Sequence, residues 1–323
     1  MGTSGIALVT GATSGLGFET AAQLAEQDWT QVIITGRTPE RAALAGQELV
    51  ARTGRDVFVP IAVDLNRTDD VMRAAGVLAD RGDQISVVIL NAGMVSGSQL
   101  VKTDEDVEIT FASSLIGHHQ LTVQLLADGV LADDARIVIA GSEAARGDVP
   151  TLHPTDLADL AVKEYDGDKV AAAEGIIRAD GSVKYKPATA YADAKMFVAW
   201  WAAQLAVRLP QGMTVNAVSP GSAPDTDAGR NANPFMRYIM MPAFKYAPKR
   251  FGMGAPVSAA AGRYVQVIGD DSGVSGQFYA SAPKKVTGPI EVVDLDHILD
   301  TENQQAAWLA VVEVAGVDYP VSV

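Results

Sequence analysis

The feature that most constrains this chain is the segment Thr10-Gly11-Ala12-Thr13-Ser14-Gly15-Leu16-Gly17, set between a β-branched run, Ile6–Thr10, and a helical pattern starting near Gly15. A strand that ends in spaced glycines and turns at once into a helix opens a parallel βαβ unit. Gly11 permits the sharp turn, Gly15 lets backbone approach a pyrophosphate, and Gly17 lets helix and strand pack closely. The first helical turn, with Ser14 and Leu16, offers free N–H groups and the positive end of the helix dipole to an anion. A dinucleotide site is the expectation.

The same rhythm continues through residue 142. Runs Gln31–Thr35, Val57–Val63, Val87–Leu90 and Arg136–Ala140 alternate with helical stretches starting near Pro39, Thr68 and Asp104. Such alternation predicts an α/β protein, a doubly wound parallel sheet joined by right-handed crossovers. Residues 143–188 are polar, carry Gly and Pro, and hold one helical segment at Leu157–Lys163, so they form an insertion beside the sheet. The rhythm resumes with a helix over Tyr191–Val207, a strand Thr214–Val218, a Pro- and Met-rich substrate-side segment 222–250, a helix Val257–Ile268 and a strand Gly276–Ala280. Residues 281–323 are a C-terminal extension with an amphipathic stretch, Asn303–Val314. One domain over 1–323 with these appendages is expected.

The formal net charge of −14 argues against nucleic acid and against anionic membrane surfaces as partners. No cysteine occurs, which excludes disulfides, thiolate nucleophiles and thiolate metal sites from the chain's own side chains. Redox chemistry therefore needs a bound cofactor. Apolar runs fall short of the roughly 20 residues a membrane helix requires, and the first residues lack a basic, apolar leader. A cytoplasmic protein with no membrane insertion is expected.

Cofactor contacts are expected at successive carboxyl ends of strands. Arg37 follows the second strand, where a carboxylate would accept from an adenosine ribose 2′-hydroxyl and an arginine fork suits a 2′-phosphate instead. NADP(H) is the cofactor this implies. Asp64 and Leu65 close the third strand beside the adenine, and Asn91-Ala92-Gly93 closes the fourth. Ser142 ends the fifth. Tyr191 and Lys195, four apart, share one face of a helix. A free phenol titrates near about 10; a neighbouring ammonium, helped by an oxidised nicotinamide ring, would lower it. His118 and His119 fall mid-helix without a third metal ligand, so packing is expected and no metal site. Trp200 and Trp201 are read as core or a helix-pair interface, and His153 as a solvated loop residue.

Together these residues resemble the short-chain dehydrogenase/reductase family, over nearly the whole chain. The long gap between Ser142 and Tyr191, Arg37, Gly117-His118 and the run Ser275-Gly276-Gln277-Phe278-Tyr279 are similar to the retinol dehydrogenase and protochlorophyllide reductase branch. The resemblance implies a Rossmann fold, Tyr191 as acid/base, Lys195 as its modulator and ribose ligand, and Ser142 as substrate clamp. It also implies Pro220, Gly221 and Thr226 along the nicotinamide side, a small-molecule substrate and a homodimer. The implied reaction is hydride transfer between NADP(H) and a carbonyl or alcohol of a bulky lipophilic molecule. Reduction of an activated carbon–carbon double bond and a non-catalytic NADP(H) sensor stand as alternatives. Two departures bear on this. Ser114 occupies the position where the family carries Asn in its proton relay, and the cysteine associated with protochlorophyllide reduction has no counterpart. Serine there is expected to bend the helix by bonding back to a carbonyl about four residues earlier.

Overall fold

The computed structural model describes residues 5–27, 29–182, 184–222 and 254–319. Its strands are β1 (Ile6–Val9), β2 (Gln31–Gly36), β3 (Phe58–Ala62), β4 (Ile85–Leu90), β5 (Leu131–Ala140), β6 (Thr214–Val218), β7 (Phe278–Ser281) and β8 (Ile290–Val292). They form one sheet in the order β3-β2-β1-β4-β5-β6-β7-β8. Pairing is parallel from β3 through β7. β8, from the C-terminal extension, pairs antiparallel with β7 through Tyr279 to Ser281, so the sheet is mixed at that edge instead of wholly parallel. β1 sits between β2 and β4, and the strand order reverses there. A crevice opens at the carboxyl ends of strands at such a switch point.

The central strands read as continuous apolar runs because both faces are covered. Val32, Ile33 and Ile34 of β2 have no exposed surface. On one face, α1 (Gly15–Glu26), α2 (Pro39–Thr53) and α9 (Val257–Ile268) enclose a core containing Leu24, Leu49 and Ile268. α1 and α9 pack directly on each other. The other face carries α3 (Thr68–Asp80), α4 (Ile109–Phe111), a π-helical turn Ala112–Ile116, α5 (Gly117–Ala127) and α8 (Pro187–Ala206). α4 begins five residues later than Asp104 because the Glu108 carboxylate caps it, accepting from Thr110 N–H at 2.8 Å and Phe111 N–H at 3.2 Å.

The insertion holds α6 (Leu157–Glu164), as its periodicity suggests, and also α7 (Lys169–Arg178). α7 is capped by Asp168, which accepts from Val170 and Ala171 N–H. The extension folds into α10 (Asp296–Leu299) and α11 (Thr301–Ala315), and α11 packs on α7 and α8. Trp200 and Trp201, each 1% exposed, lie in this layer. Trp200 Nε1–H donates to the His297 carbonyl and Trp201 Nε1–H to His119 Nδ1. Both indoles are therefore core residues of this chain. No helix among the described residues is long and apolar enough to cross a membrane.

Candidate active site

A cleft of about 490 Å³ runs along the carboxyl ends of β1, β2 and β4 to the start of α8. That volume lies within the range of cofactor sites. Its floor is the glycine turn. Gly11 has φ +65°, and a Cβ there would stand 2.8 Å from the Ala92 backbone; a Cβ on Gly17 would stand 2.5 Å from both the Gly11 carbonyl and Asn91 Nδ2. No larger residue fits either position without moving backbone. Gly11, Ser14, Gly15 and Leu16 line the cleft, whereas Gly17 lies beneath it and sets how closely α1 approaches β1 and β4.

Arg37 lines the β2 end of the cleft and is exposed there. Arg41, in the first turn of α2, lines the same end, with Thr38 Oγ1 accepting from its N–H at 3.3 Å. Sequence spacing did not single out Arg41, which lies on α2 four residues after Arg37. Asp64 and the buried Leu65 line the adjoining wall. The Asp64 carboxylate is already engaged by Asn66 N–H at 3.1 Å and Asn66 Nδ2 at 2.9 Å. Asn91, Ala92 and Gly93 also line the cleft. The Asn91 amide donates to the Thr10 carbonyl at 3.0 Å, which braces the glycine turn.

Tyr191, Lys195 and Pro220 line the other end. Helical spacing places Lys195 Nζ 5.9 Å from the centroid of the Tyr191 ring. Lys195 is 6% exposed and donates to the Ala140 carbonyl at 2.7 Å. Burial pulls its ammonium down to about 8. The Tyr191 phenol lies above its ordinary value, from burial first and then the Glu143 charge; a hydrogen bond with the Ser142 hydroxyl opposes this. The groups that act on the phenol besides burial are Ser142 and Glu143; the expected lowering involves an oxidised nicotinamide ring beside Lys195 and belongs to the complex. Ser142 is not part of the lining; its hydroxyl meets the Tyr191 phenol and accepts from Ala144 N–H at 3.2 Å. Gly221 lies outside the lining too, packed where a Cβ would meet Arg263 Nη1 at 2.7 Å. Thr226, and Met236, Met240, Met241 and Phe244 of the 222–250 segment, lie outside the described residues.

Ser114 lies in the π-helical turn and lines the cleft. The expected back-bond from its hydroxyl is not made. Ser113 Oγ donates to the Ile109 carbonyl at 2.9 Å instead, and Ser114 Oγ is buried without a partner. A Cβ on Gly93 would lie 2.9 Å from Ser114 Oγ and 4.0 Å from Lys195 Nζ, so serine and lysine flank the same backbone point. His118 is fully buried, and burial drives it down to about 3. His119 is down to about 4, also from burial. Both are neutral packing residues. His153, exposed, meets the Gly147 carbonyl at 2.8 Å.

Below Ser142 lies a buried polar cluster that local patterning did not announce. Glu143 accepts from Ser219 Oγ, Ser281 N–H and Ser281 Oγ, and pairs with Arg263 Nη1 at 3.3 Å. Arg263 also donates to the Ser219 and Gly288 carbonyls. The partners of Arg263, which include Ser281 Oγ at 2.8 Å, are 18 to 120 residues away in sequence, beyond the reach of any local periodicity.

The residues present fit a nicotinamide dinucleotide. The glycine turn leaves backbone room at the N-terminus of α1, two arginines stand at one end, and hydroxyl and ammonium groups stand at the other. A family model described as short chain dehydrogenase matches residues 5–154. Retinol dehydrogenase 13 of Homo sapiens is 24% identical over 318 residues, covering 97% of this chain and 85% of that protein. A WW domain-containing oxidoreductase of Drosophila melanogaster is 28% identical over 279 residues, 84% of this chain; the chain spans 61% of that relative's length. Among solved structures, a short chain dehydrogenase from Burkholderia cenocepacia J2315 in complex with NADP is similar with a TM-score of 0.60 at 24% identity. The match covers 86% of this chain and 96% of that one, a likeness of fold.

Proposed function

We propose that this chain, which belongs to the short-chain dehydrogenase/reductase family, is an NADP(H)-dependent oxidoreductase acting on a carbonyl or alcohol of a bulky, lipophilic small molecule. One observation carries the reading. Tyr191, hydrogen-bonded to Ser142 and with the buried Lys195 beside it, stands at one end of a dinucleotide-sized cleft whose other end presents Arg37 and Arg41. The relatives support it: one is a retinol dehydrogenase, and a similar structure holds NADP.

When bound, the cofactor supplies or accepts the hydride. The chain's own residues manage the oxygen and its proton. Ser142 donates a hydrogen bond to the substrate oxygen as negative charge develops on it. Tyr191 delivers the proton. Its phenol, held above the ordinary value by burial, is fully protonated at neutral pH, which is the form reduction needs. Oxidation needs the phenolate, and the Lys195 ammonium favours that form. An ammonium has three donors; one is fixed on Ala140, leaving two for the nicotinamide ribose and a path to solvent.

The test is NADPH consumption across ketones, enones and alcohols, repeated with NADH. Tyr191→Phe should abolish turnover while keeping NADP+ affinity. Retention of wild-type kcat by that variant removes the mechanism, and consumption with enones alone moves the reaction to carbon–carbon double bonds.

A further inference from the structure

Ser142 opens the short helical turn Glu143–Arg146, and that turn sets where its hydroxyl stands. Ala144 N–H donates to Ser142 Oγ at 3.2 Å, and Ala145 N–H donates to the Ser142 carbonyl at 3.1 Å. One side of the turn is anchored to the sheet edge and the start of the C-terminal extension. Glu143 accepts from Ser219 and Ser281, and the buried Arg146 donates to the Ser281, Ala282 and Lys285 carbonyls. These anchors fix the turn to β7 and the segments beside it. They do not fix it to α8, the helix that carries Tyr191.

A second attachment comes from α10. His297 Nε2 lies 3.0 Å from the Ala145 carbonyl, and a carbonyl only accepts, so Nε2 carries the proton and donates. The backbone carbonyl of the same residue accepts from Trp200 Nε1–H, on α8, at 2.9 Å. A helix of four residues leaves its carbonyls without partners of its own, so this one is free to take the indole proton. Both bonds end on buried residues, Ala145 and Trp200, where a lost partner is costly. His297 thus bridges the serine turn and the tyrosine helix, with its side chain on one and its backbone on the other.

We propose that His297 is a positioning residue for catalysis: it holds the Ser142 turn against α8 so that the serine hydroxyl stays on the Tyr191 phenol. The assignment rests on the oxidoreductase reading above, in which those two hydroxyls share the substrate oxygen. It gives the C-terminal extension a part in the reaction without contact with cofactor or substrate. Small displacements of an aligned group weigh heavily on the rate, so a tether remote from the chemistry shows in kcat.

The experiment compares wild type, His297→Leu and His297→Gln for NADP(H) turnover with the ketones and alcohols screened above, and for hydrogen exchange of the ligand-free proteins. Leucine keeps bulk and removes the donor, whereas the glutamine amide can offer the same carbonyl an N–H. His297→Leu should lower kcat about tenfold or more with KM for the cofactor unchanged. Exchange within residues 143–147 should quicken about three- to tenfold in that variant. His297→Gln should restore both. In a Ser142→Ala background, His297→Leu should reduce the residual turnover by less than about twofold, because the group it positions is gone. An unchanged kcat or exchange rate in His297→Leu, a raised KM for the cofactor, no rescue by glutamine, or an undiminished loss beside Ser142→Ala overturns the proposal. A wild type that turns over no ketone or alcohol overturns the oxidoreductase reading and this assignment with it, whereas an active wild type indifferent to His297→Leu overturns this assignment alone.

Discussion

The Nδ1–H of His118 donates to the Ser114 carbonyl at 3.1 Å, across the π-helical turn that faces Lys195. A carbonyl only accepts, so the tautomer follows, and His118 Nε2 accepts from the Thr10 hydroxyl 2.9 Å away. Thr10 Oγ1 in turn accepts from Ala92 N–H at 3.0 Å. One buried chain of hydrogen bonds thus joins β1, the loop after β4 and the turn before α5. His118→Phe keeps the bulk and breaks two of these bonds, leaving the Thr10 hydroxyl and the Ser114 carbonyl without their partner. A loss of about 1–3 kcal/mol is expected. Urea unfolding checks it, and a variant as stable as wild type would contradict the network.

The π-helical turn owes its back-bond to Ser113, so the Ser114 side chain is free to change. Ser114→Asn should alter kcat by less than about tenfold, equivalent to about 1.4 kcal/mol in the barrier. Ser113→Ala should be the more damaging change, since it removes the Ile109 bond. Steady-state kinetics on one substrate decide this. An inactive wild type made active by asparagine would favour the non-catalytic NADP(H)-binding alternative.

NADP(H) should bind more tightly than NAD(H) through Arg37, with Arg41 contributing from the same end of the cleft. Charge-assisted contacts are worth about 1.5–3 kcal/mol, roughly ten- to a hundredfold in Kd. Arg37→Ala should lower the preference by about tenfold and the double Arg37→Ala, Arg41→Ala variant should nearly erase it. Both arginines are exposed, so the preference should shrink as salt rises. Dissociation constants for both cofactors at two salt concentrations test it; an unchanged ratio in the double variant sinks the assignment.

Acid should act through the buried histidines. His118 and His119, lowered by burial to about 3 and about 4, stay neutral in the fold, whereas the unfolded chain takes up protons near about 6.5. Between these values the unfolded state binds more protons, so stability falls as pH drops through that window. Asp193 has the opposite sign. Burial pushes it to about 7 against the opposing bonds from Thr155, so its share is lost as pH rises toward 7. Comparing His119→Gln with wild type isolates one histidine: the wild-type advantage should shrink as pH falls from 6.5 to 4. Parallel pH curves would refute this.

The Glu143–Arg263 pair is 6% and 8% exposed at its side chains, which makes breaking it costly. Arg263→Met leaves the Glu143 charge buried without its cation, a loss of about 3–5 kcal/mol. Glu143→Gln combined with Arg263→Met should recover most of it. Denaturant unfolding of the two variants measures the difference; a double variant no better than the single would mean that Arg263 acts through packing alone.

What the sequence by itself determined is what short-range chemistry controls. Apolar runs bounded by helical periodicity located β2, β6 and α9 within a residue of their observed bounds, and the strand–glycine–helix turn located the floor of the cleft. Tyr191 and Lys195 share a face because α8 is a helix, and no more than helical spacing was needed to see it. Tertiary structure decided the rest, because each remaining feature depends on residues that only the sheet order brings together. Asn91 turned out to brace Thr10, 81 residues away, and Trp201 to donate to His119, 82 residues away. The short strand β8 exists because β7 offers it an edge. The phenol of Tyr191 lies above its ordinary value because of burial, a property of the whole packed chain. Tyr264 joins the lining of the cleft only because α9 packs against α1 and the sheet.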